Sequence, residues 1–166
     1  MKATQQSISE WAETTFGPSG SNVRIAARAN EEMAELLRAL TVHDDHPKAA
    51  AECADVIIVL YRLATRLNVT MAGTADVRKI EFASNLDVAA LANSDLALAI
   101  KHLATSNESP VVAALLDWIT ALMALLAERL GTNLADEIDK KMAVNFARSW
   151  KLDGSGHGYH VREKGE

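Results

Sequence analysis

A single cysteine, Cys53, excludes any internal disulfide, so packing rather than covalent cross-linking must hold this chain together. That usage fits a reducing, cytoplasmic setting. Aromatic residues are scarce, at 5%, and β-branched residues nowhere alternate with polar ones, which argues against a sheet. Basic residues are outnumbered: 17 Lys and Arg against 22 Asp and Glu leave a formal net charge of -5. Such a chain lacks the cationic surface that displaces counterions from a nucleic acid, so no nucleic-acid partner is expected. No apolar stretch follows Met1-Lys2-Ala3-Thr4-Gln5-Gln6, so no secretory signal is visible. No uninterrupted apolar run reaches the roughly 20 residues that span a bilayer, and no membrane partner is expected. The longest candidate, Val111 to Leu126, is broken by Asp117.

What is present is Ala and Leu, in a chain of 166 residues that is 49% apolar and 23% charged. This is one domain with enough length for a core, and its composition favours an all-α helix bundle. Helical periodicity runs from about Ile8 to Phe16, stopped by Gly17-Pro18. A second helix starts at Ser21-Asn22, which can cap it, and reaches about Leu40. After the polar turn His43-Asp44-Asp45-His46, read as solvated, Pro47 opens a third helix to about Leu67. Asn68 to Asn85 is irregular. Further helices are expected over about Asp87–Leu103, Pro110–Leu130 and Leu134–Trp150, with Ser106 to Ser109 as a turn. Residues 153–166 read as a polar C-terminal tail.

The chain also aligns with itself at a shift of 63, giving repeat halves of about 21–71 and 84–134. Asn30 meets Asn93, Pro47 meets Pro110, and Arg66-Leu67 meets Arg129-Leu130. The expected architecture is two helix hairpins packed about a pseudo-twofold axis.

The halves differ in their acids. The first carries Glu31-Glu32-Met33-Ala34-Glu35 and then Glu52-Cys53-Ala54-Asp55. Residues three apart share a helix face, so Glu32 projects with Glu35, and Glu52 with Asp55. A short turn makes the two helices antiparallel neighbours, so the pairs can face one another. Converging carboxylates repel unless cations sit between them, and hard oxygen ligands suit Mg²⁺ or Mn²⁺. A Glu-rich helix face is by default a solvated one. Here, however, Glu52 and Asp55 lie between Ala49-Ala50-Ala51 and Val56-Ile57-Ile58-Val59-Leu60, where carboxylates are costly unless they bind something. The second half has Ser94, Asp95 and Leu98 in place of Glu31, Glu32 and Glu35, and Leu115 and Trp118 in place of Glu52 and Asp55. Most of those acids are therefore not demanded by folding. Glu-x-x-His pairs, which a helical di-iron centre needs, are missing at Glu32, Glu35 and Glu52.

Glu-Glu-x-x-Glu followed by Glu-x-x-Asp, from Glu31 to Asp55, resembles the signature of the all-α nucleoside triphosphate pyrophosphohydrolases, the MazG-like and dimeric dUTPase-like superfamily. The resemblance implies an enzyme that cleaves a (deoxy)nucleoside triphosphate to the monophosphate and pyrophosphate. It implies Mg²⁺ ligation by Glu32, Glu35, Glu52 and Asp55, with Glu31 or Glu35 taking a proton from the attacking water. A degenerate second copy resembles members in which a fused repeat replaces a partner subunit. A homo-oligomer, dimer or tetramer, is expected. The ending, Lys141-Met142-Ala143-Val144-Asn145, then Arg148-x-Trp150 and a Gly/His segment, looks like compact phage or bacterial MazG-like proteins, which include MazZ-type dGTP enzymes. A purine deoxynucleotide such as dGTP is therefore favoured over a dUTP- or dCTP-type pyrimidine substrate. A non-catalytic Mg²⁺-nucleotide-binding module is the other alternative.

In the last helix, Ile138, Met142, Phe146 and Trp150 form an apolar stripe at helical spacing. Lys141, Asn145 and Arg148 flank it and are candidates for phosphate contact, while Lys140 points away. Trp11 and Asn30 are candidates for base or sugar contact. Phe16 and Trp150 could also stack on a base, and Trp118 is expected to pack. His157 and His160 belong to the tail.

Overall fold

Thr4 begins the first helix, α1 (Gln5–Phe16), through a reciprocal cap. Its side chain accepts the Ser7 N–H, and its own N–H donates to Ser7 Oγ. The computed structural model describes residues 2–105, 110–152, 154, 156 and 158–160. Gly17 ends α1 at φ +75°, a backbone conformation that side chains other than glycine rarely adopt. Helix α2 (Asn22–Arg38) starts at Ser21, whose side chain makes no capping bond, contrary to expectation. It runs on through one wider π-type turn (Ala39–His43), past the expected end at Leu40. Asp45, read as part of a solvated turn, caps α3 (His46–Arg66) by accepting the Lys48 N–H at 2.9 Å.

A single 3₁₀ turn (Val77–Lys79) interrupts the segment before α4 (Asn85–Thr105). Helices α5 (Pro110–Arg129) and α6 (Leu134–Ala147) follow, α6 being capped by Asn133. The expected turn at Ser106 to Ser109 lies outside the described residues. The all-α class is as the sequence indicates: six helices carry the described fold. One expectation fails at the C-terminal end. Helix α6 stops at Ala147, and Arg148 is already extended (φ -78°, ψ 148°). Part of the tail is ordered, because β1 (Trp150–Leu152) pairs antiparallel with β2 (Gly158–His160), Trp150 opposite His160. His157 lies outside the described residues.

Helices α2 and α3 form one hairpin and α4 and α5 another; α2 packs on α4 and α3 on α5. Helices α1 and α6 both pack on α3, which makes α3 the central element. Ile25, Met33, Leu36, Ile57, Leu60, Leu63, Leu96, Leu116, Ile119 and Leu122 are fully buried between these layers. The hairpins share bonds at the offset of 63. Arg66 Nε donates to Asn22 Oδ1 at 3.0 Å, and Arg129 Nε to Asn85 Oδ1 at 2.8 Å. The Val69 N–H reaches Ala64 O at 2.8 Å, and the Thr132 N–H reaches Ala127 O at 3.0 Å. Asn68 and Gly131 both take positive φ, 56° and 84°.

Helix α5 is long and apolar enough, by length and composition, to cross a membrane, although Asp117 had been read as breaking the run. Half of its apolar window is buried inside the bundle. Asp117 is spent on a loop: its carboxylate accepts from the N–H groups of Ala72, Gly73 and Thr74 and from the Thr74 hydroxyl, at 2.7–3.1 Å.

Candidate metal centre

Glu32 projects from α2, and Glu52 and Asp55 from α3, into the seam between the helices. One carboxylate oxygen from each lies within 4.8 Å of the others. Glu32 is 8% exposed and Glu52 5%. Burial first, and neighbouring carboxylates second, push both acids up to about 7, against the partial relief that Arg28 gives Glu32 and Lys141 gives Glu52. Asp55 is raised too, because burial outweighs the stabilising Lys141 ammonium. Three acids held this close, with their charged forms disfavoured, are a donor set that a hard divalent cation would satisfy. All of the donors are oxygens, the ligand type of hard cations. Cys53 is buried beside the cluster, but its thiol is raised well above its usual value by burial, and it points into the core.

Glu35, the fourth expected ligand, is solvent-exposed on the same face, at the rim, and lies outside the tight triad. Its carboxylate makes no hydrogen bond or ion pair among the described residues. Glu31 is also exposed, and its carboxylate is bonded to Arg28, which reaches Glu32 as well. Arg28 was not foreseen, although its spacing of three and four residues from these glutamates is the signal that would have found it.

The triad forms one end of a cleft of about 710 Å³ between α1, α2, α3, α6 and the C-terminal hairpin. Lys141 on α6 pairs with Asp55. Burial lowers the lysine, and the Asp55 carboxylate more than offsets it, so its charge is retained. Asn145 is 7% exposed and lines the cleft with Lys141 and Arg148. These three do converge, but not as one helical row, since Arg148 lies beyond the end of α6. Lys140 is turned away and pairs with Glu137.

Two turns along α3 from Asp55, where Arg62 reaches the Gly17 carbonyl beside Phe16, the cleft is aromatic. Trp11 sits edge-on to Phe16 at 5.3 Å, to Trp150 at 5.8 Å and to Phe146 at 5.9 Å, and Phe16 meets Trp150 at 5.0 Å. Trp11, Phe16 and Trp150 line the cleft. The expected stripe on α6 is thus shorter than predicted: Ile138 and Met142 are buried, Phe146 is 53% exposed, and Trp150 belongs to β1. Asn30 is not brought to the site. It lies about 200° around α2 from Glu32 and faces solvent. Arg24 and Arg62 line the cleft and were not anticipated. Arg62 had a signal, being seven residues from Asp55 on the same helix face and the only charge in an apolar stretch.

In the second hairpin, the residues aligned with Glu32 and Asp55 also meet: the Trp118 indole donates to the Asp95 carboxylate, and burial raises that acid. No cluster of three metal-ligating side chains forms there among the described residues. Compared with protein families, with characterised proteins and with solved structures, the chain matches none.

Proposed function

We propose that this chain is a Mg²⁺- or Mn²⁺-dependent pyrophosphohydrolase of (deoxy)nucleoside triphosphates, with products (d)NMP and pyrophosphate. The observation that carries the reading is the buried triad Glu32, Glu52 and Asp55 at one end of a cleft whose other end is aromatic. A ligand matched to both ends has a polyanionic group and a planar ring. Purine substrates such as dGTP are favoured by the resemblance of the chain ending.

Glu32, Glu52 and Asp55 would hold the metal, with Glu35 able to join from the rim. When bound, the metal neutralises phosphate charge and acidifies water. Lys141, Asn145 and Arg148 supply donors to phosphate oxygens from the α6 side of the cleft. Glu35, exposed and with a carboxylate in no hydrogen bond or ion pair among the described residues, is the freer carboxylate to take a proton from water. Glu31 is engaged by Arg28 and orients that guanidinium. The shared Arg66–Asn22 and Arg129–Asn85 bonds support an internal duplication in which only the first hairpin has the full acid set, the second keeping Asp95 alone of those aligned positions. Leu86, Leu98 and Val111 leave apolar surface exposed on α4 and α5, in keeping with a homo-oligomer.

The test is a product assay. Each common NTP and dNTP is incubated with the protein and Mg²⁺, and products are separated by anion exchange. Monophosphate and pyrophosphate, abolished by EDTA, are expected, with a purine deoxynucleotide turned over fastest. Diphosphate and phosphate would sink the proposed cleavage, and a preference for dUTP or dCTP would move the substrate to the pyrimidines. Mg²⁺-dependent binding without turnover would favour a nucleotide-binding module.

A further inference from the structure

Arg62 is 5% exposed, and each of its three guanidinium nitrogens donates a hydrogen bond. Nε donates to Glu13 Oε1 at 2.8 Å, Nη2 to Gly17 O at 2.6 Å and Nη1 to Gly156 O at 2.7 Å. One side chain on the central helix α3 therefore ties together the end of α1 and the C-terminal hairpin. A buried arginine is costly, and here one carboxylate, on Glu13, and two backbone carbonyls from separate segments satisfy it.

What it fixes is the aromatic end of the cleft. Gly17 follows Phe16 directly, and Gly156 lies in the segment joining Trp150 to Gly158. The hairpin docks by backbone contact. A Cβ at Gly156 would meet Ser19 Cα at 2.5 Å and Pro18 O at 2.8 Å, and one at Gly158 would meet the Phe16 ring at 3.0 Å. Gly156 also has φ +85°. The Trp150 indole is aimed by a bond to Asn145 O at 3.1 Å. Phe16 and Trp150, 5.0 Å apart, come from segments 134 positions distant in the chain, and no local rule brings them together.

We propose that Arg62 is a positioning residue for ring recognition: it holds the C-terminal hairpin against α1 so that Phe16, Trp11 and Trp150 form the wall that takes the planar ring of the ligand. The inference rests on the nucleotide reading. It assigns ring affinity to the hairpin and phosphate affinity to the carboxylate and α6 end, so the two separate.

The experiment measures binding, with Mg²⁺ present, of inorganic tripolyphosphate and of a non-hydrolysable dGTP analogue, by calorimetry. The proteins are wild type, Arg62→Met and Gly156→Ala. Gly156→Ala displaces the hairpin while leaving Arg62 intact, so it covers the case in which Arg62→Met fails to fold. Wild type should prefer the nucleotide. Both variants should lose about tenfold or more of nucleotide affinity, as base–aromatic stacking implies, with tripolyphosphate affinity within about twofold. Steady-state kinetics should show the loss in KM more than in kcat. The near-ultraviolet circular dichroism of the coupled Trp11 and Trp150 should change in both variants before ligand is added. Variants that bind both probes as wild type does, or lose both equally, overturn the proposal. Wild type that binds both probes equally overturns it while leaving the phosphate reading standing, and wild type that binds neither removes the nucleotide reading and this proposal together.

Discussion

Lys141 of α6 and Asp55 of α3 form an ion pair at the edge of the carboxylate triad, with side chains 24% and 18% exposed. The lysine is thus both a wall of the cleft and the counter-charge of an acid expected to hold metal. Lys141→Met should leave Asp55 without its partner and destabilise the metal-free protein by roughly 2 kcal/mol, between the values for surface and buried pairs. Millimolar Mg²⁺ should restore most of that loss. Thermal melts with EDTA and with Mg²⁺ measure both, and a loss that Mg²⁺ leaves untouched would count against metal binding at Asp55.

Glu32 and Glu52 both titrate near 7 in the folded protein, above their unfolded value of 4.5. The folded state then binds more protons than the unfolded state between those values. Without metal, their contribution to stability is fully present below about 4.5 and is lost as the pH rises through about 7. Melts in EDTA should show this decline, and Glu32→Gln or Glu52→Gln should flatten it. Metal affinity should move the opposite way, rising with pH as the acids ionise.

Asp55→Asn and Glu32→Gln should abolish divalent-cation binding and turnover while keeping the helical circular dichroism of the wild type. Relief of repulsion in the triad should leave the Glu32→Gln protein at least as stable as wild type in EDTA. Loss of fold in both variants would instead assign the acids a structural role.

Asp117→Ala removes four hydrogen bonds that pin residues 72–74 to α5. At about 1 kcal/mol each, less what water recovers at this partly exposed site, the loss should be roughly 2 kcal/mol. Limited proteolysis should find a new cleavage near Gly73, with the cleft that holds the carboxylate triad unaffected.

Arg66 and Arg129 make the same bond to Asn22 and Asn85 in the two hairpins. Their alanine variants should each cost about 0.5–1 kcal/mol, as exposed side-chain bonds do. A near-equal pair of values in denaturant melts is what a duplicated scaffold requires.

The helices, their order and the carboxylate faces were all legible in the sequence, because helical period and capping chemistry are local. Glu32, Glu52 and Asp55 could be placed opposite one another from spacing alone, once a short turn made α2 and α3 neighbours. Arg28 was equally local and was overlooked. The aromatic wall was a different matter. Trp11, Phe16 and Trp150 could each be named as a stacking residue. That they meet depends on α6 ending at Ala147, on a hairpin returning through two glycines, and on Arg62 reaching three acceptors from distant segments. Asn30, chosen from its type, falls on the solvent side, as its phase of about 200° from Glu32 already implies. The sequence by itself determined the helical bundle and the acids, since both follow from interactions within a few turns. Only the tertiary structure decided which rings and cations close the site, since those contacts join residues that chain spacing cannot relate.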